Sequence, residues 1–152
     1  MTAVIQVVKR ASVKVEGRLT GECGEGLMIL LGVAGDDTER DAEVLADKIA
    51  KLRIFKDAEG KMNLSVLDVG GGALVVSNFT LNADYKKGNR PSYFLGAAPD
   101  EADRLYRLFS DRMRRNGIHT ENGIFGAEME CEIINMGPCT LVVDSKVLLG
   151  RA

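Results

Sequence analysis

Two polar clusters, each beside an apolar run, hold the residue types with which this chain could do chemistry. Ser77-Asn78-Phe79-Thr80-Leu81 follows Ala73-Leu74-Val75-Val76, and Asn135-Met136-Gly137-Pro138-Cys139-Thr140 precedes Leu141-Val142-Val143. The first offers two hydroxyls and a carboxamide. Such groups position a substrate or hold a polar transition state, but a hydroxyl without a base is a weak nucleophile. The second offers main chain. Glycine lets backbone approach a ligand closely, and proline fixes its own φ and is the residue that commonly takes a cis bond. Taken alone, Gly137-Pro138 also reads as an ordinary turn, and Thr80 as a β-branched strand residue.

Other chemistries find little support. The cysteines Cys23, Cys131 and Cys139 have no metal-ligand spacing, and His119 is the single histidine, so no metal site is expected. A Cys139–His119 dyad lacks a third, orienting group, and His119 reads as a surface or strand-edge residue. A formal charge of -2 argues against general polyanion binding, so any RNA contact falls to a local basic face. Two such faces exist: Lys86, Lys87 and Arg90 in a loop, and Arg104, Arg107, Arg112, Arg114 and Arg115 on one predicted helix. Both also read as solvated surface charge.

The elements that must position these residues follow from hydrophobic period. Residues 4–8, 12–15 and 18–23 read as short strands, the last two joined across Glu16-Gly17, and the unbroken apolar run 27–33 as a strand covered on both faces. Thr38 and Asp41 imitate a capping box before a helix whose stripe is Ala42, Leu45, Ile49 and Leu52. On its outer face Asp47 and Lys51 form an i,i+4 pair. A strand over 73–79 leads into an aperiodic loop over 82–97. Pro99, Asp100 and Glu101 open a second helix, lined by Ala102, Leu105, Phe109 and Met113 and ended by Asn116-Gly117. Residues 129–134 and 139–143 close the chain as strands. The order predicts one α+β domain over residues 1–152: a mixed, mainly antiparallel, curled sheet around a core with two packed helices.

At 152 residues the chain can bury one sizeable core, and 45% hydrophobic with 28% charged residues is ordinary for a globular protein. No apolar run approaches the ~20 residues that cross a bilayer. The first ten residues lack the pattern of a secretory leader, so cytoplasmic residence is the expectation.

Together the two clusters resemble the signatures Ser-Gln-x-x-Leu and Asn-x-Gly-Pro-x-Thr of the D-aminoacyl-tRNA deacylases. The second is matched by Asn135, Gly137, Pro138 and Thr140, the first by Ser77 and Leu81 with Asn78 in place of Gln. Similar stretches run from Ala11-Ser12-Val13-Lys14-Val15 through Leu52-Arg53-Ile54-Phe55, Gly60-Lys61-Met62-Asn63-Leu64 and Lys87-Gly88-Asn89-Arg90-Pro91-Ser92. Gly123-Ile124-Phe125-Gly126-Ala127 and Val143-Asp144-Ser145 continue the likeness, which spans about residues 5–145 in one register.

The resemblance implies a barrel-like fold and hydrolysis of the ester joining a D-amino acid, or glycine, to the terminal adenosine of tRNA. It implies a homodimer with no cofactor, whose partner is aminoacyl-tRNA, with neither DNA nor membrane. In the family the substrate's own 2′-OH is proposed to assist water attack, with backbone amides at the Phe79-Thr80 segment forming an oxyanion hole beside Ser77 and Asn78. Gly137-Pro138, between Asn135 and Thr140, would be the chiral filter, its carbonyls meeting the substrate across the dimer interface. Phe125 and Met129 are expected near the adenine, though both also read as core. Two departures stand out: Asn78 is one methylene shorter than Gln, and Val7 replaces an arginine thought to brace the Gly-Pro loop. The alternative they open is a divergent paralogue, with shifted specificity or with tRNA binding and no turnover.

Overall fold

The computed structural model describes residues 1–151. Its organising element is β1 (Thr2–Val15), long enough to serve two neighbours on one edge. The first half of β1 pairs antiparallel with β3 (Gly26–Gly32), and the second half with β2 (Arg18–Cys23). Glu16 and Gly17 join β1 to β2 at φ 49° and 76°, the positive pair that a tight hairpin turn needs. The other edge of β1 is covered along its length by β8 (Glu130–Asp144). Beyond β3 the sheet continues in parallel through β6 (Gly72–Ser77) to β7 (Thr120–Asn122). It then curls until β7 meets β2, where the Glu22 amide donates to the Glu121 carboxylate at 2.8 Å. A separate hairpin joins β4 (Phe55–Lys56) to β5 (Met62–Leu64).

Two helices close one side. Thr38 and Asp41 make the expected capping box at the start of α1 (Glu39–Lys51), and Pro99 opens α2 (Pro99–Arg115). Ala42, Leu45 and Ile49 of α1 and Leu105, Phe109 and Met113 of α2 pack against Ile5, Leu27, Ile29, Leu31 and Val75 of the sheet. Each of these side chains larger than alanine, once fully buried, contributes roughly 1.5–3 kcal/mol. The opposite sheet face buries Val8, Val13, Met28, Leu74 and Val76, so β3 is covered on both sides, as its apolar run predicts.

The curled sheet agrees with the expected fold class, and several boundaries differ. Residues 4–8 and 12–15 belong to one strand, because Lys9-Arg10 forms a bulge there and no turn. Residues 129–134 and 139–143 likewise belong to β8. The strand over 73–79 ends at Ser77 and becomes a 3₁₀ turn, Phe79–Asn82. Asp47 turns from Lys51 to Arg112, whose guanidinium grips it at 2.7 and 2.6 Å. β4, β5, β7 and a third helix, α3 (Ser145–Leu148), are too short to leave a periodic trace. α3 is held by tertiary bonds: the Ser145 hydroxyl donates to Asp41 at 2.7 Å and accepts from the Met1 ammonium at 2.6 Å.

Candidate functional site

The first polar cluster is positioned by the parallel pairing of β3 and β6. The Asn78 amide donates to Leu31 at 2.9 Å, and the chain then turns out of the sheet. Room for that turn comes from Gly32, where an added Cβ would meet the Leu81 Cβ at 2.9 Å. Asn82 Nδ2 pins the far end to the Val33 carbonyl at 2.9 Å. Leu81 N–H closes on Asn78, whereas the Phe79 and Thr80 amides have no acceptor among the described residues. A first helical turn leaves such donors free. Thr80 is exposed, and its hydroxyl donates to Asn78 Oδ1, so the shorter carboxamide is occupied within its own segment. Phe79 is 63% exposed and meets Tyr93 edge-on at 5.1 Å. Two free amides beside a neutral hydroxyl can steady an oxyanion; they supply no base.

The second cluster is an excursion from β8. Gln6 faces Thr140 and Val8 faces Asn135, so residues 136–139 stand off the ladder opposite Val7. Asn135 Nδ2 donates to the Val7 carbonyl at 2.9 Å and to the Cys139 carbonyl at 3.0 Å, tying off the base. Thr140 Oγ1 donates to Asn135 Oδ1 at 3.4 Å and accepts from Gln6 Nε2 at 3.2 Å. Met136, Gly137 and Pro138 are left exposed, and the Gly137–Pro138 peptide is cis. Gly137 sits at φ 116°, where a Cβ would stand 2.7 Å from the Cys139 amide nitrogen. Only glycine takes that place without strain. Beneath the excursion lies an apolar cavity of about 460 Å³, lined among others by Val7, Ile54, Phe55, Met62 and Cys139.

The remaining candidates divide. The Gly123 amide donates to Val75 at 3.1 Å, so the segment after β7 leaves the sheet at the same end as Ser77. Phe125 is half-buried on Tyr106, with ring centres 6.0 Å apart, and lines a second cavity of about 430 Å³. Met129 packs inward: its sulfur lies 2.5 Å from where a Gly123 Cβ would be, against the cluster containing Val13. The β6–β7 pairing thus places residues 77–80 and the segment leading to Phe125 after the carboxyl ends of two adjacent parallel strands. Gly137-Pro138 lies elsewhere. β1 and β3 separate β8 from β6, and no residue of 77–82 lines the cavity under the excursion.

A supporting network was not legible beforehand. Asn122 Nδ2 donates to the Tyr106 hydroxyl at 2.9 Å and to Ser110 Oγ at 2.8 Å, while Tyr106 donates to the Val75 carbonyl at 2.8 Å. It braces β6 two residues before Ser77. The i,i+4 spacing of Tyr106, Ser110 and Arg114 was the available signal.

The Cys139–His119 dyad is not formed. His119 is exposed beside Glu121 at 3.3 Å and its carbonyl holds Ala73, with β6, β3 and β1 between it and β8. Burial pushes the Cys139 thiol up, away from the thiolate. Among the described residues no group of three His, Cys, Asp or Glu is placed to hold a metal, and no helix is long and apolar enough to cross a membrane. Of the two basic faces, the helical one is largely neutralised: Arg104, Arg107, Arg112 and Arg114 pair with carboxylates.

The chain matches the family model for D-Tyr-tRNA(Tyr) deacylase over residues 4–144. It is 52% identical over 148 residues to the D-aminoacyl-tRNA deacylase of Anaeromyxobacter dehalogenans, covering 97% of this chain and 99% of the relative. It is 53% identical over 146 residues to the enzyme of that name from Koribacter versatilis, covering 96% and 98%. Among solved structures, the c-Myc DNA Unwinding Element Binding Protein superposes with a TM-score of 0.88 at 38% identity, over 95% of this chain and 98% of that one. A probable eukaryotic D-amino acid tRNA deacylase, 18% identical, shares the fold with a TM-score of 0.81, over 95% of this chain and 100% of that one.

Proposed function

The chain belongs to the D-Tyr-tRNA(Tyr) deacylase family, and from that premise we propose how it works as a D-aminoacyl-tRNA deacylase. It is a hydrolase of the ester that joins a D-amino acid to tRNA. Water attacks the ester carbonyl carbon, the carbonyl oxygen becomes an oxyanion, and the bond to the ribose oxygen breaks as that oxygen takes a proton. The products are the free amino acid and tRNA. The amides of Phe79 and Thr80 receive the oxyanion, and Ser77 and Asn78 hold the segment that carries them. The ester is already activated, so positioning and charge stabilisation supply most of what the step needs. Phe125 lies against the adenine, with Met129 supporting it from behind.

Chirality is read by the main chain of Gly137-Pro138, contributed by a second copy of the chain. An L side chain collides with it, any D side chain points away, and glycine has nothing to collide. The enzyme therefore also clears glycine mischarged on the alanine tRNA. A homodimer fits β8, whose outer edge no strand covers among the described residues and which exposes the side chains of Ile134, Met136 and Val142. Residence in the cytoplasm, where charged tRNA is used, completes the proposal.

The observation that carries this reading is the excursion at 136–139, exposed at Met136, Gly137 and Pro138 and anchored from below by Asn135. A parallel assay with D-tyrosyl-, glycyl- and L-alanyl-tRNA tests it. Loss of the first two esters and survival of the third is expected. Persistence of both D-tyrosyl and glycyl esters at enzyme excess rejects it.

A further inference from the structure

The loop after the 3₁₀ turn has more order than its sequence announces. Asp84 and Ser92 exchange both backbone hydrogen bonds, at 2.8 and 2.9 Å, and close a small hairpin with residues 85–91 at its tip. Asp84 Oδ1 accepts the Lys86 amide at 3.0 Å, and Gly88 turns the tip at φ 71°. A second tie, Gly35 N–H to Leu95 at 2.9 Å, clamps the base to the chain end of β3.

This hairpin carries Lys86, Lys87 and Arg90, all exposed, and none makes an ion pair among the described residues. Tyr85 is 76% exposed and Phe94 75% exposed on the same segment. The chain carries a formal charge of -2, and in its other basic cluster Arg104, Arg107, Arg112 and Arg114 are already paired with carboxylates. Exposed aromatic faces interleaved with unpaired cations suit a single-stranded nucleic acid: bases stack on the rings and phosphates meet the cations. The segment that continues from the hairpin to Leu95 touches the candidate site, since Tyr93 packs edge-on against Phe79.

We infer that the 84–95 hairpin is the docking surface for the unpaired 3′ strand of the tRNA, just upstream of the esterified adenosine. This inference rests on the proposed deacylase reading and deepens it. The ester is handled by the 77–80 segment. The phosphodiesters behind it are held by Lys86, Lys87 and Arg90, and a base stacks on Tyr85 or Phe94.

The test compares two substrates with the same reacting ester, D-tyrosyl-tRNA and D-tyrosyl adenosine, which has no phosphates. In the Lys86→Glu/Lys87→Glu/Arg90→Glu protein, kcat/KM for the tRNA should fall at least about tenfold through KM relative to that for the adenosine ester. The slope of log kcat/KM against log salt should flatten by about 2, given ~0.7 per lost single-strand phosphate contact. Tyr85→Ala/Phe94→Ala should lower tRNA affinity roughly five- to hundredfold. Charge reversal at Lys48 and Lys51 on α1 should leave the ratio of the two substrates alone. A proportionate fall on both substrates, no fall on either, or a change in oligomeric mass in the hairpin variant overturns the inference. Binding of a labelled single-stranded RNA ending in CCA, read by anisotropy, separates the two readings. Binding that depends on the hairpin in a protein that spares both esters sinks the deacylase reading and keeps the surface; hydrolysis with hairpin-independent binding does the reverse.

Discussion

Asn135 and Val7 are joined across the β1–β8 seam by a 2.9 Å bond from the carboxamide to the main-chain carbonyl. The same amide nitrogen reaches the Cys139 carbonyl at 3.0 Å, so one side chain spans the base of the 136–139 excursion. Val7 contributes through its backbone, and a change of its side chain leaves this tie intact. Asn135→Ala unmakes both bonds and leaves two carbonyls wanting donors, at about 1–3 kcal/mol. The expected result is a lower Tm with a larger loss of selectivity: L-alanyl-tRNA hydrolysis should rise relative to D-tyrosyl-tRNA hydrolysis. If selectivity stays while Tm falls, the excursion is no filter.

Gly137 gives a sharper test of the same segment. At φ 116°, a Cβ would press against the Cys139 amide nitrogen at 2.7 Å, and backbone has no easy way to yield. Gly137→Ala should therefore move the exposed main chain while the fold persists, since Met136 and Pro138 on either side are exposed. Strain of about 1–2 kcal/mol should lower Tm modestly. Turnover of D-tyrosyl-tRNA should drop far more, by roughly a hundredfold, as a misplacement near 1 Å does. Unchanged turnover with a normal far-ultraviolet spectrum would remove this backbone from the reaction.

Much of this was readable in the residues, and the gaps have physical causes. The capping box at Thr38 and Asp41, the proline start at Pro99 and the apolar run of β3 are local signals, and each produced its element where expected. The strand expected over 73–79 stops at Ser77 because the Asn78 amide makes the last bond to β3 and Gly32 makes room for a turn. β-branched character at Thr80 could not reveal that. β7 and α3 depend on partners distant in sequence: Ala73, Leu74 and Val75 of β6 for one, Met1 and Asp41 for the other. At the site, spacing identified both polar clusters but not their separation by two strands. Register belongs to the sheet and no single motif contains it. Met129 packs inward because Gly123 leaves a hollow that its sulfur fills, a fit between two residues that no spacing in the sequence announces.

The Thr80 hydroxyl donates to Asn78 and, among the described residues, bonds to no imidazole or carboxylate, which decides what its removal should do. Thr80→Val keeps the branched shape and the amide while deleting the oxygen. Hydrolysis of D-tyrosyl-tRNA should fall by no more than about tenfold, the order of one hydrogen bond. A nucleophile would instead cost several orders of magnitude. Single-turnover kinetics with quenched-flow sampling distinguish the two, and a trapped acyl-threonine in the unaltered protein would overturn the amide-based account. Asn78→Gln, which lengthens the acceptor, should perturb kcat in the same modest range.

Acid sensitivity follows from the junction of α1 and α2. Arg112 grips Asp47 in a bidentate pair and Asn116 adds a bond at 2.8 Å, which together hold the Asp47 carboxyl down from 3.8 to about 2 against an opposing push from burial. The folded value lies below the unfolded one, so the stabilisation is complete above about pH 4 and is lost as pH falls through 2. Both side chains are about one-third exposed, at 33% and 35%, so screening trims the contribution to about 1 kcal/mol. Asp47→Asn should thus be less stable than the unaltered chain at pH 6, and the difference should shrink between pH 4 and pH 2. Urea denaturation at each pH measures this. The pair works through helix docking, so Arg112→Lys, which forfeits the fork, should recover only part of the stability. A gap between Asp47→Asn and the unaltered chain that stays constant down to pH 2 would mean that the lost stability is packing, with no ionic share to titrate.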